Sequence, residues 1–164
     1  MTFNPLAALN CVEVSNLINK QSKVIDIGSQ TPTLGPDLFD RLINKYDFLD
    51  NQQILNLKNL KKEIINKKNI STKKFFLSLN FSNYESIDVN GAYNSFLYDL
   101  NFDLIEKYDF NQVYDLVINN GTGEHVFNQF SLLKNIHQLC KVSGIMLHIL
   151  PFIDWINHGF YNFN

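Results

Sequence analysis

The chain has 164 residues, which is enough for one domain with a hydrophobic core but too short for two full domains. Its formal net charge is -2, and this balance argues against nucleic-acid binding, which normally requires a large basic excess. No apolar run approaches the roughly 18 residues of a membrane-spanning segment, and the N-terminus lacks a signal-peptide pattern. The sequence therefore predicts a cytoplasmic protein with a small-molecule substrate, and it leaves the oligomeric state open.

Two cysteines, Cys11 and Cys140, are far apart in segments that both look like amphipathic helices. Each is better explained as a small buried apolar residue than as half of a disulfide. This pattern is typical of a protein in a reducing compartment.

The first half of the chain predicts helices around one central strand. Apolar residues at Leu6, Leu9, Val12, Leu17 and Ile18 indicate a first helix within residues 1–22. An apolar run at 23–28 is typical of a parallel strand that is covered on both faces. Pro36 begins a second helix. Further helices are predicted at 54–64 and at 72–79, although the latter segment could also be a strand.

The second half predicts several strands and one long helix. A strand at 86–89 is followed by a short run at 95–98, which is either a minimal parallel strand or the partner in a hairpin, because the link is too short for a helical crossover. The strongest strand is at 113–118. A helix from about Glu124 to Cys140 and a last strand at 145–150 follow; the expected buried stripe of this helix is Val126, Phe130, Leu133, Ile136 or His137, and Cys140.

Strands that alternate with helices predict the fold class: a single α/β domain over 1–164, Rossmann-like and doubly wound, with a mostly parallel sheet and helices on both faces. Right-handed crossovers place the carboxyl ends of parallel strands at one edge of the sheet, where ligands bind. The side chains expected around that crevice are Asp26, Gly28, Asp88, Asp99, Asn119, Asn120, Glu124 and His148.

The chemistry of this edge suits a nucleotide-like ligand. Gly28 allows a ligand to lie against the backbone, and the N–H groups of the following turn can donate to an anion. Asp88 is placed to accept hydrogen bonds from two ribose hydroxyls. Asp99 could accept one from an exocyclic adenine amine.

These residues resemble the class I S-adenosylmethionine-dependent methyltransferases. Asp26-Ile-Gly28 is similar to the first glycine motif of that family, Asp88 to its ribose acid, Asp99-Leu-Asn101 to its adenine contact, and Tyr114–Asn119 to its fourth-strand motif. The run Gly121–Gln129, with Gly144–His148 and His158–Asn162, is similar to a bacterial subgroup that acts on small molecules.

The resemblance implies S-adenosylmethionine as the cofactor and methyl transfer to an oxygen or nitrogen of a small-molecule or sugar-derived acceptor. The cofactor-binding residues that it implies are Asp26, Gly28, Ser29, Asp88, Asp99, Leu100 and Asn119. The first motif reads Gly28-Ser29-Gln30, so the second glycine usual in the family is missing, and residues 48–70 look like a helical insertion. The chain ends before the final antiparallel strands of the family, so we expect a truncated form of the fold.

Methyl transfer needs little acid–base help, because the sulfonium is already a good electrophile and the protein mainly aligns the acceptor with the methyl carbon; a side chain can in addition take a proton from the acceptor. The candidates are His125, with Glu124 as its partner, and His158, followed by His148. Each also has a structural explanation, such as a helix-start charge for Glu124. Glu124, His125, His148 and His158 could instead hold zinc or iron, but their spacing matches no compact ligand motif, and we predict no metal.

Two other functions stay open. A nicotinamide-dependent oxidoreductase would share the ribose acid, but residues 28–32 lack the glycine-rich turn that binds a pyrophosphate. A non-catalytic, methyltransferase-like module could bind a partner. The aromatic tail, with Trp155, Phe160, Tyr161 and Phe163, is interpreted either as a substrate wall or as surface.

Overall fold

A computed structural model describes residues 3–18, 21–66, 68, 70–151 and 158–161. The chain forms two compact units. The first, here called the sheet unit, combines Lys23–Ser29 with the chain from Glu85 onward. The second, here called the helical unit, combines the described residues of Thr2–Ser22 with Gln30–Tyr84.

A parallel sheet of four strands is the framework of the described chain. The strand order is β2-β1-β3-β4, with β1 at Lys23–Ile27, β2 at Asn83–Ile87, β3 at Tyr114–Asn120 and β4 at Cys140–Ile149. Helices flank the sheet, and the arrangement is a Rossmann-like α/β fold. This confirms the predicted fold class.

The two central strands are apolar because both of their faces are covered. Val24 of β1 pairs with Leu116 of β3, and Asp26 pairs with Ile118. The apolar side chains of both strands are buried, and those of Ile25, Ile27 and Val117 join a core that also includes Leu132, Ile136 and Leu139. The strand predicted at 113–118 is confirmed and runs two residues further, to Asn120.

The run at 95–98 is a minimal parallel strand and not half of a hairpin. Phe96 forms a single parallel bridge with Ile87. The backbone N–H of Phe96 donates to the carbonyl of Ser86, and the N–H of Asp88 donates to the carbonyl of Phe96. Because β2 ends at Ile87 and not at Val89, Asp88 is the first residue after the strand.

The long helix predicted from Glu124 begins later. Gly123–His125 is a separate 3-10 turn, and α6 spans Gln129–Leu139 with Asn128 as its N-cap. The cap sets the helix so that it buries Leu132, Asn135, Ile136 and Leu139. Phe130 and Leu133, which were expected in the buried stripe, are exposed.

Cys140 is the first residue of β4 and not the end of α6. It pairs with Tyr114, and the register then shifts before Ile145 pairs with Leu116. The residues between them form an irregular bulge in which Ser143 takes a positive φ of 66°. The last strand was expected only from Ile145.

A short helix, α5 at Leu104–Tyr108, had no counterpart in the sequence interpretation. Asp103 caps it by accepting from the N–H groups of Ile105 and Glu106. It is too short to show a helical period, so its cap is the only local signal.

The helical unit contains α1 at Pro5–Ser15, α2 at Pro36–Lys45, α3 at Asn51–Ile65 and α4 at Thr72–Ser78. Each lies where a helix was predicted, and 72–79 is a helix and not a strand. Asp50 and Gln53 form a capping box that starts α3. α1 buries Ala7, Ala8, Cys11 and Val12, whereas Leu6 and Leu17 of the expected stripe are exposed.

Neither cysteine forms a disulfide, and Cys11 is buried whereas Cys140 is half-buried. Burial raises the pKa of the Cys140 thiol. None of the helices in the described part of the chain combines the length and the apolar character that crossing a bilayer requires.

Candidate functional site

The glycine loop after β1 is tied to the turn after β2. Gly28 has a φ of 110°, and its N–H donates to the carbonyl of Ile87 at 2.8 Å. The N–H of Ser29 donates to Oδ2 of Asp88 at 2.9 Å, and the Ser29 hydroxyl donates to the carbonyl of Ala92 at 2.8 Å. Three residues of the predicted cofactor site, Gly28, Ser29 and Asp88, are therefore brought together.

Thr122 lies directly against Gly28. A Cβ added to Gly28 would fall 2.1 Å from the Thr122 hydroxyl oxygen. The space left by the missing side chain of Gly28 is thus occupied by the Thr122 side chain, which comes from the turn after β3. Sequence reasoning did not single out Thr122, although its place between two glycines, Gly121 and Gly123, marks a tightly packed turn.

Asp88 keeps acceptor capacity after its contacts within the protein. Its Oδ1 accepts from the N–H of Asn90 at 3.0 Å, in addition to the bond from Ser29. These two bonds use about half of the lone-pair sites that a carboxylate offers. A half-buried carboxylate with free lone pairs at the end of β2 fits the hydroxyls of a ribose.

The other predicted cofactor residues lie in different surroundings. The Asp26 side chain is fully buried within β1. Oδ1 of Asp99 accepts from the backbone N–H and the side-chain amide of Asn101, so Asp99 orders its own turn. The Leu100 side chain belongs to the hydrophobic core.

Asn119 holds the turn after β3 through a hydrogen bond. It is buried at the end of β3, and its Oδ1 accepts from the N–H of Gly123 at 2.9 Å. Gln129 of α6 holds the same turn from the other side by donating to the carbonyls of Gly123 and Val126, at 2.7 and 2.6 Å. The 3-10 turn, which contains Glu124, is therefore held by Asn119 of β3 on one side and by Gln129 of α6 on the other.

Glu124, His125 and His158, here called the Glu-His-His cluster, come together at this turn. Oε1 of Glu124 lies 3.8 Å from Nε2 of His125 and 3.6 Å from Nε2 of His158. The two imidazole rings meet edge to face, with centroids 4.9 Å apart. The Glu124 side chain has no exposed surface, whereas His125 is 45% exposed and His158 is 30% exposed.

Residues 158–161 contact the 3-10 turn and the residues just after it. The N–H of Phe160 donates to the carbonyl of Glu124 at 2.6 Å, and the Tyr161 hydroxyl donates to the carbonyl of Phe127 at 2.9 Å. Gly159 has a φ of 75°, and an added Cβ would lie 2.7 Å from the Glu124 carbonyl oxygen. Trp155 and Phe163, the other two residues of the aromatic tail, lie outside the described residues.

His148 lies apart from the Glu-His-His cluster. It pairs with Asn119 across β3 and β4, and its Nδ1 is 3.4 Å from Nδ2 of Asn119. Partial burial lowers the pKa of His148 below its ordinary value. Of the four residues weighed as metal ligands from the sequence, the described structure groups Glu124, His125 and His158.

No protein family model matches this chain, and no curated protein sequence is similar to it.

Proposed function

We propose that this protein is an S-adenosylmethionine-dependent methyltransferase that acts on an oxygen or nitrogen of a small-molecule or sugar-derived acceptor. The observation that carries the proposal is the hydrogen bond from the Ser29 N–H to Asp88. It joins a glycine loop after the first strand to an acid after the second strand, at the edge where open parallel sheets bind ligands.

The strand order supports the same proposal. β1 is central, β2 and the Phe96 bridge extend the sheet to one side, and β3 and β4 extend it to the other. Strand order thus reverses beside β1, and its carboxyl end is the switch point at which nucleotides bind in such sheets.

Asp88 and the glycine loop are the residues that we place on the cofactor. Asp88 accepts from ribose hydroxyls, the Ser29 N–H orients its carboxylate, and Gly28 gives the loop the backbone conformation that this contact needs. Asp99 serves the adenine end, at the turn that it forms with Asn101. Asp26, Leu100 and Asn119 shape the strand ends from within the fold. S-adenosylmethionine supplies a methyl group that is already a good electrophile.

The acceptor side of the proposed site is the Glu-His-His cluster. The exposed ring of His125 takes a proton from the acceptor, and the buried Glu124 carboxylate stabilises the imidazolium that results. His158 is the second imidazole beside the same carboxylate. Cys11 and Cys140 form no disulfide, which fits a reducing compartment, and we place the protein in the cytoplasm.

The test is calorimetric titration of the chain with S-adenosylhomocysteine and, separately, with NAD. We expect S-adenosylhomocysteine to bind and NAD not to bind. Asp88→Asn keeps an oxygen that accepts from Ser29 but loses the charge, and it should weaken binding about tenfold or more, as expected when charge-assisted hydrogen bonds are lost. Asp37→Asn, at an exposed carboxylate on α2, is the matched control and should bind as the wild type does.

Binding of NAD in place of S-adenosylhomocysteine would identify an oxidoreductase. Equal affinity of Asp88→Asn and wild type would remove the ribose acid from the proposal. His125→Ala should keep the cofactor affinity, because His125 is placed on the acceptor. Loss of that affinity would make His125 a cofactor contact or a structural residue.

A further inference from the structure

We propose that the Glu-His-His cluster binds a divalent transition-metal cation and that zinc is the cation its donors suit best. Two imidazoles and one carboxylate are a common set of three protein ligands for zinc, with a further position open to water or substrate. The same set with open positions also binds non-haem iron(II). This goes beyond methyl transfer, which needs no metal.

The distances are close to those of a coordinated site. One ligand atom from each of the three residues lies within 4.8 Å of the other two. Tetrahedral zinc holds nitrogen and oxygen ligands at about 2.0–2.1 Å, which places neighbouring ligand atoms about 3.3 Å apart. Oε1 of Glu124 is already 3.6 Å from Nε2 of His158 and 3.8 Å from that of His125. An inward movement of about 1 Å or less of the partly exposed rings closes the set around a cation.

The Glu124 carboxylate gives independent support. It is fully buried, and neither of its oxygens accepts a hydrogen bond from the residues that the structure describes. Its separations from the two imidazoles are too long for hydrogen bonds. A buried carboxylate without such partners is costly, and a divalent cation between the three residues removes that cost.

The position of the carboxylate is fixed by its surroundings. Asn119 and Gln129 hold the 3-10 turn on which Glu124 and His125 lie. Phe160 and Gly159 bring His158 against the same turn. The ligands of the cluster are therefore held close together by the backbone before a cation arrives, and the exposed His125 ring leaves access from solvent.

A cation at the Glu-His-His cluster would change how the methyl acceptor is activated in the proposed function. A bound cation uses the imidazole lone pairs, so the activation of an acceptor oxygen passes from His125 to the metal. The cofactor half, which depends on Asp88, is untouched. Metal binding can therefore be tested without S-adenosylmethionine, and its failure leaves the methyltransferase proposal standing.

The experiment is a calorimetric titration of untagged, chelator-treated full-length chain with zinc chloride. We expect a single equivalent to bind. Glu124→Gln and His125→Ala should each lower the affinity about 100-fold, since loss of an outer-shell partner alone costs about 10- to 100-fold. His137→Ala is the matched control, because His137 is an exposed histidine on α6 outside the cluster, and it should bind zinc as the wild type does.

Cobalt(II) provides a second measurement through its visible absorption. Intense bands that vanish in Glu124→Gln support a four-coordinate site at the cluster. Absence of zinc binding by the wild type would overturn the proposal. Equal binding by the wild type, Glu124→Gln and His125→Ala would overturn it as well. If Glu124→Gln does not fold, His125→Ala decides, because its ring is partly exposed.

Discussion

Two features of the sheet unit require a glycine at position 28. The backbone has a positive φ there, and the side chain of Thr122 leaves no room for a Cβ. A φ of 110° is strained for any L-residue, and the Thr122 hydroxyl occupies the place of a Cβ. We expect Gly28→Ala to lower the free energy of unfolding by about 1–3 kcal/mol from the backbone alone, with an added cost from the displaced Thr122. Chemical denaturation measures the change.

Thr122→Ala separates the two contributions. It removes the hydroxyl that a new Cβ would meet but leaves the backbone strain. We therefore expect Gly28→Ala to be less destabilising in a Thr122→Ala background than in the wild type, which a double-mutant cycle measures. Simple additivity of the two substitutions would show that contact with Thr122 does not restrict position 28.

His148 should make the stability of the fold depend on pH. Partial burial lowers its pKa from the ordinary value of 6.5, so the unfolded chain binds a proton more readily than the folded chain. Stability should therefore fall as the pH decreases from about 6.5 toward the depressed pKa, and it should level off below it. Unfolding by urea at a series of pH values measures this slope.

His148→Gln is the variant that isolates this effect. Other groups titrate in the same range, but they are common to both proteins, and the difference between wild type and variant removes them. The variant should show a shallower loss of stability on acidification. Identical slopes would mean that the proton on His148 does not contribute.

Single residues differ in how well the sequence reveals their role. Gly28 and Asp88 were predictable, because each follows an apolar strand and the ends of parallel strands share one edge. The sequence placed Glu124 with three candidate histidines, but it did not show that His158 and not His148 lies beside it, since this depends on the Phe160 N–H binding the Glu124 carbonyl. A spacing rule does not encode such a contact.

At the scale of the elements, Asn135 links α6 to the start of α5. It is fully buried, its Oδ1 accepts from the N–H of Leu104 at 3.0 Å, and its Nδ2 donates to the carbonyl of Phe102 at 2.8 Å. Asn135→Ala orphans both backbone groups. We expect a loss of about 1–3 kcal/mol for each orphaned group, measured by chemical denaturation.

Asn135→Asp tests the same contacts with little change of volume. It keeps the acceptor for Leu104 but replaces the donor to Phe102 with a second oxygen, so it should be destabilised as well, and more at neutral than at acidic pH. Ser131→Ala, near the N-terminus of the same helix, is the comparison substitution. An Asn135→Ala protein as stable as the wild type would contradict the link.

The elements also show where pattern reading succeeds. β1 and β3 were predictable because central parallel strands are apolar on both faces. The face of α6 was not, because the Asn128 cap starts the helix at Gln129 and the exposed Phe130 and Leu133 imitate a buried stripe. Exposed apolar residues carry the same period as buried ones, so the period alone does not identify the face.

At the scale of the whole molecule, β1, one of the two central strands of the sheet unit, comes from a part of the sequence far from β3 and β4. β1 comes from residues 23–27, whereas β3 and β4 lie beyond residue 113. Val24, Ile25 and Ile27 are each completely buried. At about 1.5–3 kcal/mol for each buried side chain, they contribute about 5–9 kcal/mol, which is comparable with the net stability of a typical domain.

A fragment that begins at Ser82 should therefore fail to fold, although it contains β2, β3, β4, α5 and α6. Without β1, the backbone groups of β3 at Leu116–Ile118 lose their partners on that side. Far-UV circular dichroism on heating should show no cooperative transition. Adding a peptide of residues 21–30 should restore one, while the same peptide with Ile25→Asp should not, because it places an uncompensated charge in the core. Cooperative unfolding of the fragment alone would show that β2, β3 and β4 form a stable sheet without their central strand.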